Sequence, residues 1–382
     1  MPNAEILIVG AGASGLSVAG ALRKEGLHAV VLDKDDCIGG SWARRYERLH
    51  LHTMRAYSGL AHLPISRRLP RYVSKSDYAQ YLQEYARHFD LQCVLNCTVQ
   101  QVRRSNDGSP YEFAVETNDE TWRSRIVVVA TGQHGIPVIP DWRNMEQYEG
   151  RILHSFCYKS GIAHTGKRVL IVGAGNSGAE IAVDLVEQGA AFVAISIRTP
   201  PAIVPRDFLG TPVQLFGVLM SRLPSGIADA ISSAIARIAL GDLTRYGLGR
   251  AEWLPFSAKR IPTIDVGFVK QLKGGAVQVR PNIAHFTRTG VMFDDRREEA
   301  FDDVIVSTGF ATGLDRLLAI PNVLDEMGYP KELDASAAEP GLYFAGYTHS
   351  HRGHLYEANR ASRRLAKIIK RSLLAKSIKH RP

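Results

Sequence analysis

Two glycine-rich segments have the residue types and spacing that bind the pyrophosphate of a dinucleotide. Each reads Gly-x-Gly-x-x-Gly, follows a run of branched apolar residues and precedes a helix-forming stretch. In that context the first glycine permits a tight turn, the second lets the backbone approach a pyrophosphate, and the third lets the helix pack closely on the strand. Unpaired amides at the helix N-terminus then bind the anion. The glycines are Gly10, Gly12 and Gly15 in the first segment and Gly173, Gly175 and Gly178 in the second.

The residue that ends the second strand of each unit distinguishes the two nucleotides. Asp33 stands there in the first unit, where a carboxylate accepts hydrogen bonds from the ribose hydroxyls of an unphosphorylated adenosine. Arg198 and Thr199 stand there in the second unit, and a cation with a hydroxyl suits a 2′-phosphate that a carboxylate would repel. The sequence therefore predicts FAD in the first site and NADPH in the second. The alternative for Arg198 is a solvated surface arginine.

Two dinucleotide sites on one chain indicate electron transfer from a nicotinamide to a flavin. The four cysteines, Cys37, Cys93, Cys97 and Cys157, form no Cys-x-x-Cys pair, which disfavours a disulfide reductase. Oxygen remains as the acceptor, and a reduced flavin in a water-poor pocket can pass one oxygen atom to an organic substrate. This chemistry needs no side-chain nucleophile and no metal. The alternatives are a reductase or oxidase that only makes hydrogen peroxide, and a nucleotide-sensing regulator without turnover.

Composition and charge favour a globular protein with small-molecule partners. The 382 residues, of which 45% are hydrophobic and 22% charged, suit about two packed domains. The net charge of +9 favours anionic partners, but no nucleic-acid-binding motif is present, so we expect no nucleic acid. The N-terminus lacks a secretory pattern and charges interrupt the apolar stretch 213–240, so we expect a cytoplasmic protein without stable membrane insertion. An oligomer stays possible.

The repeated strand–turn–helix–strand unit predicts an α/β fold with two dinucleotide-binding, Rossmann-like domains of the glutathione-reductase type, the second inserted in the first. Residues 1–160 and 300–382 are predicted to form the FAD-binding domain. Residues 161–299 are predicted to form the NADPH-binding domain, with a helical insertion near the substrate at about 205–260.

Further elements follow from the apolar pattern. Buried-type strands at 126–132 and 304–310 contain Thr-Gly at their ends, and helical spacing predicts a C-terminal helix from Leu355 to about Lys370. Alternating apolar residues between 96 and 121 predict a hairpin around a turn at 106–110.

The segment 148–158 carries the most specific signal in the chain. It is similar to the fingerprint F-x-G-x-x-x-H-x-x-x-[WYF], with Tyr148 in place of the usual Phe, followed by Gly150, His154 and Tyr158. On these residues the chain resembles class B flavin-dependent monooxygenases, and within them the YUCCA-like branch, whose plant members convert indole-3-pyruvate to indole-3-acetate. The resemblance implies that the segment is a linker that couples motion at the NADP site to the flavin. Taken alone, His154 would be interpreted as a buried packing histidine.

The resemblance also implies roles for segments around both nucleotides. Residues 37–42 resemble the segment that covers the flavin, 129–133 and 307–310 the two Thr-Gly crossovers, and 346–348 the C-terminal flavin contact. The flavin contacts that we expect, beside Asp33 and the glycines, are Ser14, Lys34, Gly40, Ser41, Trp42, His52, Thr53, Thr131, Gly132, Gly346 and Tyr347. The further NADPH contacts are Asn176, Ser177, Thr308 and Gly309. A core aromatic is the alternative for Trp42, and a helix N-cap is the alternative for Asn176 or Ser177.

His52 and Asn176 are the candidate catalytic residues. His52 occupies the place where amine-oxidising members carry an Asn before a Thr, and this departure weakens the prediction of amine oxidation. The segments 240–248 and 262–267 resemble the YUCCA-like branch more than the amine- and sulfide-oxidising members. The resemblance therefore implies a 2-oxo acid substrate such as indole-3-pyruvate, with N- or S-oxygenation as the alternative. A buried packing histidine is the alternative for His52.

Overall fold

A computed structural model describes residues 1–105, 111–332 and 339–379 of the chain. The predicted turn at 106–110 lies outside the described residues. The helices, in chain order, are α1 Ala13–Lys24, α2 Gly40–Ala43, α3 Lys75–His88, α4 Asn176–Glu187, α5 Val213–Met220, α6 Ser225–Leu240, α7 Pro255–Ala258, α8 Phe268–Lys273, α9 Leu314–Leu317 and α10 His354–Lys379. Single 3₁₀ turns lie at Arg55–Tyr57, Met145–Gln147, Gly161–His164 and Leu243–Tyr246.

The first large sheet carries the first glycine segment. Its strands, in spatial order, are Gln92–Val94, Val30–Leu32, Asn3–Val9, Thr121–Val129, Phe113–Thr117 and Val99–Arg104, with Leu342–Phe344 also pairing to Thr121–Val129. The Rossmann-like part is parallel, and the predicted hairpin forms the antiparallel edge. Because helices α1, α3 and α10 cover one face and α9 the other, strand residues such as Leu7 and Ile8 are fully buried.

The second large sheet is parallel throughout and carries the second glycine segment. Its strands, in spatial order, are Val277–Arg280, Phe192–Ser196, Arg168–Val172, Asp303–Val306 and Arg151–His154. Helices α4 and α8 pack on it through apolar residues such as Ile181 and Phe268. The two repeats predicted from the sequence thus lie in two separate sheets, each with a strand that leads into a glycine loop.

Two strands of the second sheet lie in ranges that the sequence assigned to the first domain. Arg151–His154 falls within 1–160 and Asp303–Val306 within 300–382, yet both pair beside Arg168–Val172. The reason is the repeat itself. In each sheet the strand that leads into Thr-Gly lies next to the strand that leads into the glycine loop, so Asp303–Val306 is the counterpart of Thr121–Val129. The other domain boundaries stay predictions.

Smaller elements connect and cover the two sheets. Helices α5 and α6 fall within the predicted insertion, and the described helices include none that is both long and apolar enough to cross a lipid bilayer. The small sheets pair Ile203–Pro205 with Thr263–Asp265, Asp207–Phe208 with Thr211–Pro212, Phe310–Ala311 with Ile136–Pro137, and Gly290–Phe293 with both Ile283–Phe286 and Glu298–Ala300.

The third glycine of each motif allows the helix to close onto its strand. A Cβ at Gly15 would lie 1.9 Å from the Gly10 carbonyl oxygen, and a Cβ at Gly178 would lie 1.9 Å from the Gly173 carbonyl oxygen. Both partners are backbone atoms, which cannot rotate away. Gly10 and Gly173 themselves have φ of +112° and +99°, which L side chains rarely adopt. These turns therefore need glycine at both ends.

We predict that Gly15→Ala lowers the free energy of unfolding by about 1–3 kcal/mol, the usual cost of overpacking. Gly12→Ala is the matched control, because a Cβ there meets no atom within 4 Å. Chemical denaturation of flavin-free protein measures both without a contribution from bound cofactor. Equal stability of the two variants would show that the contact at Gly15 does not determine the packing of α1.

Candidate functional site

One cavity of about 1340 Å³ is bordered by both glycine loops. Gly12 and Gly175 both line it, and a Cβ at either position would meet no atom within 4 Å. The space beside each second glycine is therefore open, as close approach of a pyrophosphate requires. The volume exceeds that of the usual pocket for one small ligand, about 300–1,000 Å³. The residues present fit two dinucleotides bound side by side.

Asp33 is held in place at the adenosine side of the first loop. Its Oδ1 accepts the Asp35 N–H at 2.8 Å, and its Oδ2 accepts the N–H of Ala11 within the loop. Burial raises the pKa of Asp33, and these two backbone donors oppose the rise. The carboxylate borders the cavity, where the ribose of a nucleotide on the first loop would lie.

The structure places most of the predicted flavin contacts on the cavity wall. Beside Gly10, Gly12 and Asp33, the predicted flavin residues that line the cavity are Ser14, Lys34, Ser41, Trp42, His52, Thr53, Thr131 and Gly132. The indole of Trp42 also packs against Tyr78, with ring centroids 4.7 Å apart, so Trp42 is both a core aromatic and a wall residue. The predicted residues Gly15, Gly40, Gly346 and Tyr347 lie behind the wall.

Tyr347 supports the wall from behind. It is 1% exposed, and its hydroxyl lies 2.8 Å from the hydroxyl of Thr131, which lines the cavity. Gly346 is similarly constrained, because a Cβ there would lie 2.2 Å from Ser14 Oγ. The geometry gives these two residues a positioning role for Thr131 and Ser14.

The residues predicted to contact NADPH lie partly on the cavity wall and partly outside it. Gly175, Asn176, Ser177 and Thr199 line the cavity, whereas Arg198 is exposed at its margin and is not part of the wall. Gly173, Gly178, Thr308 and Gly309 also lie outside the wall.

The amide of Asn176 is engaged at both ends. Its Oδ1 accepts the Ile264 N–H at 2.7 Å, and its Nδ2 donates to the Pro262 carbonyl at 3.4 Å. Thr263 adds a hydrogen bond of 2.8 Å to the Ala174 carbonyl. Asn176 therefore attaches the segment 262–264, singled out from the sequence, to the mouth of the second loop. This structural role stands beside the predicted catalytic one.

The four fingerprint residues fix the second sheet and its Thr-Gly turn. The Tyr148 hydroxyl donates to the Phe301 carbonyl at 2.7 Å, and Gly150 makes room for the Tyr148 ring, which a Cβ would approach at 2.3 Å. The Tyr158 hydroxyl donates to Asp184 at 2.6 Å. These residues lie behind the cavity wall, and their role as a linker stays a prediction.

His154 connects the fingerprint to the second Thr-Gly turn. Its Nδ1 accepts the Phe156 N–H at 3.1 Å, so its Nε2 carries the proton and donates to the Gly309 carbonyl at 3.1 Å. Burial lowers the pKa of His154, which favours this neutral ring. The histidine thus acts through the backbone of Gly309.

Sequence reasoning missed Glu180, a buried carboxylate on α4. It is 2% exposed, accepts a hydrogen bond from the Tyr46 hydroxyl, and lies 3.3 Å from Nε2 of His52. Tyr46 and His52 line the cavity from the flavin side, whereas α4 follows the second glycine loop. Burial, and then the Glu180 charge, raise the pKa of Tyr46 well above its usual value. Glu180 therefore joins the two nucleotide units directly beside the cavity.

A signal for this contact was present in the sequence. Glu180 and Asp184 are one helical turn apart on a helix whose neighbouring residues are apolar, and acidic side chains on such a face need buried donors. The donors are the hydroxyls of Tyr46 and Tyr158, whose rings meet edge-on at 6.2 Å.

The insertion supplies a further wall. Helix α5 lines the cavity with Gln214, which accepts the Met54 N–H at 2.8 Å and donates to the Arg352 carbonyl at 2.7 Å. Helix α6 contributes Ser232. These two helices of the insertion therefore reach the cavity wall, and a position close to the substrate stays a prediction.

We predict that Glu180→Ala lowers the free energy of unfolding by about 1–3 kcal/mol, because it leaves the Tyr46 hydroxyl buried without an acceptor. Tyr46→Phe should then cost less in the Glu180→Ala background than in the wild-type protein. Denaturant unfolding of the four proteins gives the coupling energy.

The control for this double-mutant cycle is Glu187→Ala, on the same helix as Glu180. It removes an exposed ion pair with Arg48 and should lower the free energy of unfolding by less than about 1 kcal/mol. Additive effects of Glu180→Ala and Tyr46→Phe would mean that the hydrogen bond does not join the two units.

Comparisons with known proteins agree with this geometry. The model of the family "FMO-like: Flavin-binding monooxygenase-like" matches residues 3–319. The chain is 33% identical over 357 residues to the probable indole-3-pyruvate monooxygenase YUCCA3 of Arabidopsis thaliana, covering 90% of this chain and 82% of the relative. It is 32% identical over 359 residues to indole-3-pyruvate monooxygenase YUCCA1 of Oryza sativa subsp. japonica, covering 90% and 86%.

Solved structures share the fold. The flavin-containing monooxygenase of Stenotrophomonas maltophilia superimposes with a TM-score of 0.74 at 24% identity, covering 98% of this chain and all of the other. An oxidised steroid monooxygenase bound to NADP gives a TM-score of 0.77 at 19% identity, covering 98% and 86%. These findings confirm the predicted fold class and the predicted family. The chain belongs to the flavin-binding monooxygenase-like family and is a flavin-dependent monooxygenase.

Proposed function

We propose that the protein uses NADPH, FAD and O₂ to convert a 2-oxo acid such as indole-3-pyruvate to the acid one carbon shorter, here indole-3-acetate. The observation that carries the proposal is the single cavity bordered by both glycine loops, together with relatives named for this reaction. The balanced reaction is R–CO–COOH + O₂ + NADPH + H⁺ → R–COOH + CO₂ + H₂O + NADP⁺. It needs no metal and no side-chain nucleophile.

Bound FAD and NADPH supply hydride transfer and oxygen activation in this proposal. The first glycine loop and Asp33 would hold the FAD, and Ser14, Trp42 and Thr131, which line the same cavity, would contact it. The second loop and Thr199 hold the NADPH, and Arg198 at the cavity margin is the expected partner of the 2′-phosphate. His52 and Asn176 border the same cavity, where they would orient the substrate and the nicotinamide.

The proposal also requires that water has limited access to the cavity. Helix α5 and the segment 262–264 border the cavity, and each is fixed by hydrogen bonds of Gln214 or Asn176. Exclusion of water protects a reactive oxygen species from wasteful loss as hydrogen peroxide. A cytoplasmic location remains part of the proposal, since all four cysteines are free thiols and suit a reducing compartment.

We predict that the purified protein, given NADPH, air and indole-3-pyruvate, forms indole-3-acetate with one NADPH consumed for each product molecule. Catalase must be present, because free hydrogen peroxide also decarboxylates 2-oxo acids. With ¹⁸O₂ the acid should carry one labelled oxygen.

Two outcomes would contradict this proposal. Substrate-stimulated sulfoxide or N-oxide formation without indole-3-acetate would assign the enzyme to the N- or S-oxygenating class. NADPH consumption that no substrate accelerates, with hydrogen peroxide as the product, would make it an oxidase.

A further inference from the structure

Arg45 is a half-buried cation on the cavity wall without an acidic partner. Its guanidinium makes no hydrogen bond or ion pair with any described residue, and its Cζ lies 5.9 Å from the centroid of the Phe310 ring. Burial of the unpaired charge lowers the pKa of Arg45. A partly desolvated cation that faces a cavity is stabilised by an anion bound beside it. Within the described part of the chain, that anion is absent.

The backbone at Arg45 is firmly held. The carbonyl of Arg45 accepts a hydrogen bond of 2.7 Å from Lys75, which is 5% exposed and also pairs with Glu47 at 2.7 Å. The Arg45 N–H donates to the Trp42 carbonyl at 3.1 Å. The unpaired guanidinium thus extends from a rigid part of the wall, directly after the segment that lines the predicted flavin site.

The other cations on the wall have different surroundings. Arg206 pairs with Asp207 and stacks over Tyr72, and Arg260 is exposed and stacks over Trp253. The remaining ones, Lys34, Lys259 and Arg316, are exposed to solvent. Among the described wall residues, Arg45 alone combines burial with the lack of a carboxylate partner.

The position of Arg45 brings it to the meeting point of the two Thr-Gly turns. Phe310 follows Gly309, and His134 follows the first turn, with its ring 5.0 Å from that of Phe310. Burial, and then the charge of Arg45, lower the pKa of His134 to about 4, so this histidine is neutral at physiological pH. This part of the cavity wall therefore combines the positive charge of Arg45 with apolar ring surfaces.

We propose that Arg45 binds the carboxylate of the substrate and makes acids, rather than neutral ketones, amines or sulfides, the preferred substrate class. The inference rests on the proposed function and names the residue that selects its substrate. A guanidinium pairs with a carboxylate through two parallel hydrogen bonds, and the Phe310 ring beside it offers an apolar surface for the rest of the molecule. A phosphate of NADPH is the competing partner.

The test compares Arg45→Gln with its neighbour Arg44→Gln. Arg44 is exposed, lies outside the cavity wall and pairs with Asp35 and Asp36, so Arg44→Gln controls for the loss of one positive charge. The substrate is indole-3-pyruvate, with catalase present. Arg45→Gln should raise KM for the acid by about ten- to a hundredfold, the range for a charged hydrogen bond, and leave KM for NADPH unchanged. Arg44→Gln should change neither, and Arg45→Lys should recover part of the loss.

A binding titration makes the test independent of turnover. Indole-3-propionate and its amide are titrated into the oxidised holoenzyme, and the flavin absorbance reports the dissociation constants. Arg45→Gln should raise the dissociation constant of the acid by the same factor as KM and leave the dissociation constant of the amide unchanged. If Arg45→Gln does not retain flavin, the titration of Arg45→Lys provides the test. Lysine makes only a single-point contact with a carboxylate, so this variant should still bind the acid more weakly and leave binding of the amide unchanged.

Two results would overturn the assignment. A rise in KM for NADPH with unchanged binding of the acid would show that Arg45 contacts a cofactor phosphate. Equal losses of affinity for the acid and for its neutral amide would show that Arg45→Gln perturbs the cavity as a whole. A wild-type protein that forms no product from any 2-oxo acid refutes the proposed function separately, since the titration still reports on Arg45.

Discussion

The close approach of backbone to backbone at the glycine loops is the constraint on which the rest of the site depends. A Cβ at Gly10 would lie 2.6 Å from the Ala130 carbonyl oxygen, and a Cβ at Gly173 would lie 2.7 Å from that of Ser307. Each loop therefore packs on its own helix and on the strand that leads into a Thr-Gly turn. Only glycine, which has no Cβ, lets two backbone segments come so close. Beside these close contacts, each loop keeps an open face at Gly12 or Gly175.

The two units are joined by a few buried polar contacts rather than by a large apolar surface alone. Glu180 connects the second glycine helix to Tyr46 and His52, and Gln214 connects the insertion to Met54 and the Arg352 carbonyl. Such contacts have defined geometry and are costly to leave unpaired. They fix the relative position of residues that come from distant parts of the chain and meet at one cavity.

The sequence was sufficient to predict the glycine loops, the two Rossmann-like sheets and the family, because these depend on local spacing and on apolar runs. The sequence was insufficient where a residue acts by fixing the position of a second residue. Tyr347 lies behind Thr131, and His154 acts through the Gly309 carbonyl, which no local pattern reveals. The strand Asp303–Val306 was assigned to the wrong range, since its apolar run fits a parallel strand in either sheet. Arg45 resembled any surface arginine, because burial of a cation depends on long-range packing.

The most direct test of the account is anaerobic reduction of the protein-bound flavin by NADPH, followed by absorbance in a stopped-flow instrument. If both glycine loops open onto one cavity, a preparation with one FAD for each chain should bleach fully with one equivalent of NADPH while the flavin stays bound. A protein that holds no flavin after reconstitution, or whose bound flavin stays oxidised with excess NADPH, would contradict the shared cavity.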